Sequence, residues 1–441
     1  MSTSKISMYR LSDLTPDQRN DLLQRAESDI TAFTDRVVPI IEDVRVRGDE
    51  ALADFARTLD KANLSPKDIR ATPQEFAAAR SLVDPELIET LRFAADNIRH
   101  FHEKQLPDTL SLHETHRGVI VGDRWTPIDS VACYVPRGKG SFPSSVLMTA
   151  IPAKVAGVES VVVITPPGPD GSVDPATLIA AEIAGVEAVF KCGGAQGIAA
   201  VAYGTQTVPK CTKVVGPGSP WVVAAKKVLS SIIDPGSPAG PSELLIFSDS
   251  TVSADLVAMD LCVESEHGPD SSVFLVTADA QFADEVAQRI PEHWARMAAS
   301  RSAFSRTVLT GAKGGIVIAS NEDEAFAFIN DYAAEHLAVL AENAWQYLPR
   351  IRHAGEILLG PHSAIGIANF VLGPSHVLPT GGAAKTASPL AVFDFMKRTS
   401  IASISQEAYG HFAPHAEALG RYEGFDGHAN SVSPLRLAAM I

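Results

Sequence analysis

Several common enzyme signatures are missing from this sequence of 441 residues. It has no serine-hydrolase nucleophile elbow, no P-loop and no zinc-finger spacing of cysteine and histidine, which argues against the classes that those motifs define. Cysteine is scarce, and its four residues show neither a C-x-x-C pair nor a disulfide-like spacing. We therefore expect reduced thiols, as in a cytoplasmic protein, at Cys133, Cys192, Cys211 and Cys262.

Positive charge and long apolar runs are also in short supply. There are 37 lysines and arginines against 52 aspartates and glutamates, and the formal net charge is -15, which argues against general binding to nucleic acid or anionic membranes. The opening residues, MSTSKISMYRLSDLT, lack the apolar core of a signal peptide. The longest stretch without Asp, Glu, Lys or Arg spans 357–384, but five Gly and three Pro interrupt it, so it does not read as a membrane helix. We expect a cytoplasmic protein with no nucleic-acid or membrane partner.

The apolar residues that are present follow two patterns. In the first hundred residues they recur at three- and four-residue spacing, which predicts helices. From about Ser130, short apolar runs alternate with helical patterns in two series, the first being SVACYVP, SVVVIT, AVFKCGG and KVVGPG, and the second ELLIFSD, SSVFLVTAD, GGIVIAS, HLAVLA and EILLG. Fully apolar strands between helices predict parallel sheets covered on both faces. The fold class is therefore α/β, with two such units and a mostly helical tail.

The segment ESEHGPD ends an amphipathic helical pattern, and Gly268-Pro269 is the stop signal. Glu264 and His267 are three residues apart, so both project from one face of the last turn. A carboxylate and an imidazole in that arrangement can supply half of a zinc site. A solvated helix end with a Glu–His contact is the alternative, and spacing alone leaves both open.

Other segments also place chemistry-bearing residues where helices, strands and loops meet. Glu335 and His336 lie between a helix and a strand, where they serve as general base and water activator if they face a cleft. The turns CGGAQG and VVGPGSPW each offer a helix start that favours phosphate, or are merely tight turns. The uncharged loop region contains Asn369 and His376. Cys192 is expected to be a buried thiol rather than a nucleophile.

Taken in order, these motifs resemble those of the histidinol dehydrogenase family. The matching segments extend over nearly the whole chain and are YVPRGKGSFPSSVLM, GGAQGIAAVAYGT, VPKCTKVVGPG, AGPSELLI, ESEHGPDS, EHL, GPSHVLPTGG, DFMKR and EGFDGHANSV. The resemblance implies two linked Rossmann-like units in an intertwined homodimer. We accordingly predict a helical extension at 1–25, an α/β domain with the zinc and catalytic residues at 26–133 plus 242–387, an NAD-contacting α/β domain at 134–241, and a helical tail reaching the partner subunit at 388–441.

The resemblance also implies a reaction and a set of site residues. Such enzymes oxidise a primary alcohol through an aldehyde to a carboxylate, a four-electron change, with NAD and one zinc ion per subunit. Glu335 would activate water, and His336 would accept the alcohol proton. The remaining roles carried over are zinc ligation by Glu264, His267, Asn369 and His428 of the partner subunit, substrate binding by Ser242, His376 and Glu423, and NAD contact by Tyr134, Gln196 and Ser219.

Two departures from the family pattern concern the zinc site. The family usually has Gln where this chain has Glu264, and Asp where this chain has Asn369. Each pairing carries one negative charge, so we expect metal binding to be retained with its charge moved from one side of the ion to the other. A smaller departure is Ser219, which stands where the family usually has Asn.

Added cations distinguish the chain further. It reads PRGKG where the family tends to PGG, which places Arg137 and Lys139 near the cofactor turn, and Lys385 follows the LPTGG loop. These cations would hold an anionic group of the substrate, or else serve the NAD diphosphate or face solvent.

The family substrate is a cationic amino alcohol, so we predict a paralogue that oxidises a different small polar or anionic alcohol. 2,3-Dihydroxypropane-1-sulfonate is the candidate, as in the related sulfopropanediol 3-dehydrogenases. The alternatives are a true histidinol dehydrogenase, converting L-histidinol to L-histidine, and a metal-free, non-catalytic binding protein. A metal-independent aldehyde dehydrogenase would need a cysteine nucleophile that the sequence does not offer.

Overall fold

The computed structural model describes residues 5–25, 31–137 and 140–439. Lys139 lies outside the described residues. The strands are β1 Met8–Arg10, β2 Leu110–His116, β3 Val119–Pro127, β4 Ser130–Tyr134, β5 Ser160–Ile164, β6 Ala188–Phe190, β7 Lys213–Val215, β8 Glu243–Ser248, β9 Ser272–Thr277, β10 Gly314–Ile318, β11 His336–Leu340, β12 Glu356–Leu359 and β13 Met396–Ile404.

The helices alternate with the strands over most of the chain. They are α1 Pro16–Leu23, α2 Thr31–Arg47, α3 Asp49–Thr58, α4 Pro73–Leu82, α5 Pro85–Glu103, α6 Pro143–Val155, α7 Pro175–Ala184, α8 Gly194–Tyr203, α9 Pro220–Val228, α10 Ala254–Ser265, α11 Ala280–Trp294, α12 Ala299–Leu309, α13 Glu322–Tyr332, α14 Ile365–Phe370, α15 Gln406–Tyr422, α16 Asp426–Val432 and α17 Pro434–Ala439. None of the helices in the described part of the chain is both long enough and apolar enough to cross a membrane.

The chain divides into two compact units, one formed by 1–105 and 128–395 and the other by 106–127 and 396–441. The first unit contains two parallel sheets, with the strand orders β1-β10-β9-β8-β11-β12 and β6-β5-β4-β7. The predicted parallel sheets with interleaved helices are confirmed. The division of the α/β body at residues 134 and 242 remains a prediction.

Burial on both faces explains the continuous apolar runs of the six-stranded sheet. Every residue of β8 and β9 is buried. Successive side chains point to opposite faces of the sheet, so Leu244 and Ile246 join one apolar core, whereas Leu245 and Phe247 join the other. Helices on both faces remove these strands from water, and polar groups are left at the strand ends.

Segment 5–25 does more than form a helix. Thr15 caps the start of α1, because its side chain and Gln18 form a reciprocal capping box, and Pro16 is the first helical residue. A strand that the sequence analysis did not predict precedes this helix, since β1 pairs in parallel with β10 at the edge of the six-stranded sheet.

The second unit is built around an antiparallel sheet of three strands, in the order β13-β3-β2. Strand β13 pairs with β3 from Met396 opposite Pro127 to Ile404 opposite Val119. Most residues of β2 and β13 are exposed. Helices α15, α16 and α17 follow, so the tail is mostly helical, as predicted, but begins with a strand.

Candidate active site

The predicted catalytic pair lies at the amino end of β11. Helix α13 ends at Tyr332, and Ala333 takes a left-handed conformation with φ 53°, which turns the chain so that Glu335 and His336 enter the sheet. Glu335 is 7% exposed and His336 is 3% exposed. Both members of the pair are therefore buried.

Neighbouring strands hold the two side chains. Oε2 of Glu335 accepts a hydrogen bond of 2.8 Å from the backbone N–H of Glu243, the first residue of β8. Nδ1 of His336 lies 3.0 Å from Oε2 of Glu356, the first residue of β12. A carboxylate on Nδ1 fixes the ring so that Nε2 remains available for proton transfer. The arrangement resembles a base oriented by a third group.

Burial and neighbouring charges shift the pKa of both groups. Burial raises the pKa of Glu335 well above its usual range, and Glu264 and Glu243 add to this while His336 opposes it. Burial lowers the pKa of His336, but the hydrogen bond that Nδ1 donates to Glu356 and the charges of Glu335 and Glu264 outweigh burial and raise it to about 9. Shifts of this size on adjacent buried groups are typical of catalytic sites.

Three of the predicted zinc ligands lie together. Glu264, in the last turn of α10, is 1% exposed, and its Oε2 lies 3.5 Å from Nε2 of His267. Its Oε1 accepts a hydrogen bond of 2.7 Å from Nδ2 of Asn369, on α14. Burial opposes the ionisation of Glu264, but His267 and His336, with hydrogen bonds from Asn369 and Ser242, outweigh it and lower the pKa of Glu264.

The donor chemistry of this cluster fits a zinc ion. Oδ1 of Asn369 is buried and has no hydrogen-bond partner in the part of the chain that the structure describes. An unsatisfied buried oxygen is costly unless it meets a cation or water. A carboxylate, an imidazole and an amide oxygen are acceptable zinc donors. Glu264, His267 and Asn369 could therefore hold the ion, although no group of three or more His, Cys, Asp or Glu among the described residues is itself arranged to hold a metal.

Two predicted substrate residues adjoin these ligands. Oγ of Ser242 lies 3.2 Å from Nδ1 of His267. Nδ1 of His376 donates to the backbone carbonyl of Asn369 at 2.7 Å, and its Nε2 lies 3.3 Å from Oγ of Ser145. Burial, followed by the charges of His336 and His267, lowers the pKa of His376. In a neutral His376 the proton is on Nδ1, so Nε2 can accept a hydrogen bond from a hydroxyl.

The remaining ligand and substrate candidates lie in the second unit. Glu423 caps the end of α15, and His428 is in α16. Both side chains are exposed. Their reach into a partner subunit remains a prediction.

The predicted NAD residues follow the strands of the four-stranded sheet. Tyr134 is the last residue of β4, and its buried hydroxyl accepts the N–H of Gly194 at the start of α8. Gln196 lies in the first turn of α8 and is 3% exposed. Ser219 precedes α9 without capping it through its side chain. Parallel sheets commonly bind nucleotides at these carboxyl ends.

Two lysines adjoining this region have distinct surroundings. Lys226 is buried in α9, and its Nζ donates to the carbonyl of Gly216 at 2.9 Å. A side chain at Gly216 would collide with the Tyr134 carbonyl, because its Cβ would lie 2.2 Å from that oxygen. Lys191 precedes Cys192, but its Nζ pairs with Glu75 at 2.6 Å. Burial raises the pKa of Cys192, so this thiol is not a poised nucleophile.

The other distinctive cations are less constrained. Nη1 of Arg137 donates to the carbonyl of Ser172 at 2.9 Å, so it is tied to the loop that follows β5. Lys385 lies at the end of a short 3-10 helix and is exposed. A role for either in binding an anionic substrate remains a prediction.

Sequence analysis missed the groups that orient the predicted catalytic pair. Glu356 and Glu243 each begin an apolar strand, so a carboxylate at the start of a buried strand was the available signal. Arg25, which donates to Glu243 at 3.1 Å, lies about 310 positions from Glu335 in sequence. No local pattern connects residues so far apart.

Comparisons with known proteins point to one family. The model of the family described as histidinol dehydrogenase matches residues 23–436. A protein of Colwellia psychrerythraea named histidinol dehydrogenase homolog is 56% identical over 434 residues, covering 98% of this chain and 97% of that protein. A Synechocystis protein named histidinol dehydrogenase is 42% identical over 425 residues, covering 96% and 98%.

A solved structure has the same fold. The crystal structure of histidinol dehydrogenase from Elizabethkingia anophelis matches with a TM-score of 0.91 and 31% identity, covering 99% of this chain and 98% of that one. The match extends over almost the full length of both chains. This protein therefore belongs to the histidinol dehydrogenase family of NAD-linked oxidoreductases.

Proposed function

We propose that the protein is a zinc-dependent dehydrogenase that oxidises a small polar or anionic alcohol other than histidinol, through the aldehyde, to the carboxylate. 2,3-Dihydroxypropane-1-sulfonate is the candidate substrate. The observation that carries the proposal is the buried pair of Glu264 and Asn369, joined at 2.7 Å, where the family usually has Gln and Asp. NAD is the proposed acceptor in both oxidations.

The family relatives support the proposal in part. Relatives at 51–56% identity are named histidinol dehydrogenase homolog, whereas those at 40–42% are named histidinol dehydrogenase. The chain is thus more similar to proteins set apart by name from histidinol dehydrogenase than to those that bear it. A true histidinol dehydrogenase is the second candidate, because the relatives named for that activity are still similar over 93–96% of this chain.

The first oxidation needs a base for the hydroxyl proton. When bound, zinc would polarise the substrate oxygen and NAD would accept the hydride in each oxidation. His336 takes the proton on Nε2, while Glu356 stabilises the resulting imidazolium through Nδ1. The Glu264 carboxylate is one cause of the high pKa of His336. A cation bound to that carboxylate would lower the pKa of His336 and make the imidazole available as a base at lower pH.

The second oxidation needs water at the aldehyde carbon. Glu335 is the proposed base, because its carboxylate is buried and held by the N–H of Glu243, and its raised pKa makes it a stronger base than an exposed carboxylate. Water loses a proton to Glu335 and adds to the aldehyde. Bound NAD would be the acceptor when this hydrate is oxidised to the carboxylic acid.

Moving the metal-site charge should change which substrate is favoured. In the usual site the carboxylate comes from the position of Asn369, and here it comes from Glu264 in α10. A cationic amine of the substrate would be favourably placed beside a carboxylate at position 369. In this chain the same amine would meet the uncharged amide of Asn369. Specificity is a difference of binding free energies, so the loss of one charge contact disfavours a cationic substrate. The predicted role of Arg137 and Lys385 would favour an anionic one.

Steady-state NADH production tests the proposal. The zinc-loaded, full-length protein is supplied with NAD and either L-histidinol or 2,3-dihydroxypropane-1-sulfonate. We expect turnover of the sulfonate and little of histidinol. Robust turnover of histidinol would favour the second candidate, and turnover that survives complete zinc removal would contradict the zinc dependence.

A further inference from the structure

A buried arginine, Arg25, lies two positions after the end of α1 and contacts residues next to the proposed bases. Arg25 is 7% exposed, and its guanidinium carbon lies 3.3 Å from the centre of the Tyr332 ring. Nη2 donates to the carbonyl of Tyr332 at 2.5 Å, and Nη1 donates to the carbonyl of Leu23. The guanidinium is therefore fixed by stacking on Tyr332 and by hydrogen bonds from both terminal nitrogens.

Arg25 is paired with a carboxylate that lies between it and the site. Its Nε donates to Oε1 of Glu243 at 3.1 Å, and the side chains of the two residues are 6% and 3% exposed. The same oxygen accepts the N–H of Gly381 at 2.6 Å. A buried carboxylate of this kind depends on its cation, since removing one partner leaves an uncompensated charge.

Glu243 in turn holds Glu335. Its backbone N–H donates to Oε2 of Glu335 at 2.8 Å, while its side chain points to Arg25. A single residue thus joins the arginine to the proposed water-activating base. Tyr332, whose ring and carbonyl contact Arg25, ends the helix that leads into Glu335 and donates to Oγ of Ser272 at 2.7 Å.

We propose that Arg25 is a positioning residue for Glu335, acting through Glu243. The guanidinium balances the buried carboxylate of Glu243 and so fixes both the backbone that binds Glu335 and the charge that Glu335 faces. This inference rests on the proposed function, because it assigns Arg25 to the step in which Glu335 activates water. Arg25 lies in the region predicted as an N-terminal helical extension, and its proposed role is to position the base Glu335.

The charges that surround Glu335 determine whether its pKa rises or falls when Arg25 or Glu243 is replaced. His336 faces it from its own strand, Glu264 from α10 and Glu243 from β8. Arg25 and Lys313 interact with Glu243, and Glu356 acts through His336. Removing Arg25 leaves a net negative charge, which raises the pKa of the titrating groups in this cluster. Removing the charge of Glu243 has the opposite effect.

The pH profile of aldehyde oxidation tests this role. The zinc-loaded enzyme is given NAD and the aldehyde of whichever alcohol it oxidises, so that only the water-dependent step is measured. In Arg25→Met, we expect kcat to fall and the acidic limb of its profile to move up by roughly one pH unit. In Glu243→Gln, which retains the acceptor oxygen for Gly381, the limb should move down. The double variant should return it toward the wild-type position.

A control and a folding check make the result interpretable. Arg19→Met removes a partly exposed arginine that pairs with Asp331 at 3.2 Å, and it should leave the profile unchanged. If Arg25→Met does not fold, Glu243→Gln alone carries the test through its downward shift. Variants that fold and lose activity without opposite shifts would make Arg25 merely structural and overturn the inference. A wild-type enzyme that oxidises no alcohol would overturn the proposed function, and the inference with it.

Discussion

Nδ2 of Asn369 donates a hydrogen bond of 2.7 Å to Oε1 of Glu264, and both side chains are buried. The amide is therefore oriented by the carboxylate, and its Oδ1 remains without a partner among the described residues. The two side chains act as one unit with a single negative charge. Under the proposed function, this pair would help to hold the cation and would set which substrate charge the site accepts.

The first prediction concerns zinc affinity. Glu264→Gln removes the single negative charge of the pair, so zinc affinity should fall by at least about tenfold. Adding Asn369→Asp should restore most of the affinity, because the charge returns on the other side of the ion. Competition with a chromophoric chelator measures both variants. Glu266→Gln, two positions away and only partly buried, is the matched control, and full zinc affinity in Glu264→Gln would contradict the compensation.

The second prediction concerns the stability of the zinc-free protein. The pKa of His336 is raised to about 9, above the unfolded value of about 6.5. The ion pair with Glu356 thus stabilises the fold fully below about pH 6.5 and is lost as the pH rises through about 9. Glu356→Gln should lower the free energy of unfolding by about 1.5–3 kcal/mol at pH 6 and by less at pH 9.5. Urea titrations at the two pH values measure the difference, and an equal loss at both would contradict it.

The third prediction separates the two oxidations. Glu335→Gln preserves the hydrogen bond from Glu243 but removes the base, so aldehyde oxidation should slow by about 10²- to 10⁴-fold. Alcohol oxidation should be affected less, because His336 remains. The number of NADH molecules formed per alcohol consumed should then fall from two toward one, with aldehyde trapped by semicarbazide. A ratio of two in the variant would exclude Glu335 as the base.

The fourth prediction concerns the turn that contains Ser219. Lys226 anchors this turn through the Gly216 carbonyl, and losing a hydrogen bond from a charged group costs about 1.5–3 kcal/mol. Lys226→Met should therefore raise the KM for NAD by about ten- to a hundredfold, with a smaller effect on kcat. Lys227→Met changes the exposed neighbour and should change neither. If the two variants behave alike, Lys226 does not position the NAD turn.

The α/β body was predictable because its strands are short, apolar and buried on both faces. All nine apolar runs contain strands of the two parallel sheets, from β4 to β12. The antiparallel sheet was missed because β2 and β13 are largely exposed, so no apolar run marks them. β1 has only three residues, too few to show a pattern.

Local sequence predicted the adjacent pair Glu335 and His336 but could not supply its partners. Burial of both residues depends on strands β8 and β12, which come from other parts of the chain. Arg25 pairs with a carboxylate 218 positions away, and periodicity carries no information about such a contact. The zinc ligands were open to two interpretations from spacing, and the contact of Glu264 with Asn369, 105 positions away, requires the fold.

The most direct test compares substrate preference in two proteins. The ratio of kcat/KM for 2,3-dihydroxypropane-1-sulfonate to that for L-histidinol is measured in the zinc-loaded wild type and in Glu264→Gln/Asn369→Asp. We expect the ratio to be well above one in the wild type and to fall by at least about tenfold in the double variant, a change of about 1.4 kcal/mol in relative transition-state binding. A wild-type ratio below one, or an unchanged ratio in a double variant that binds zinc normally, would contradict the claim that this pair sets the substrate.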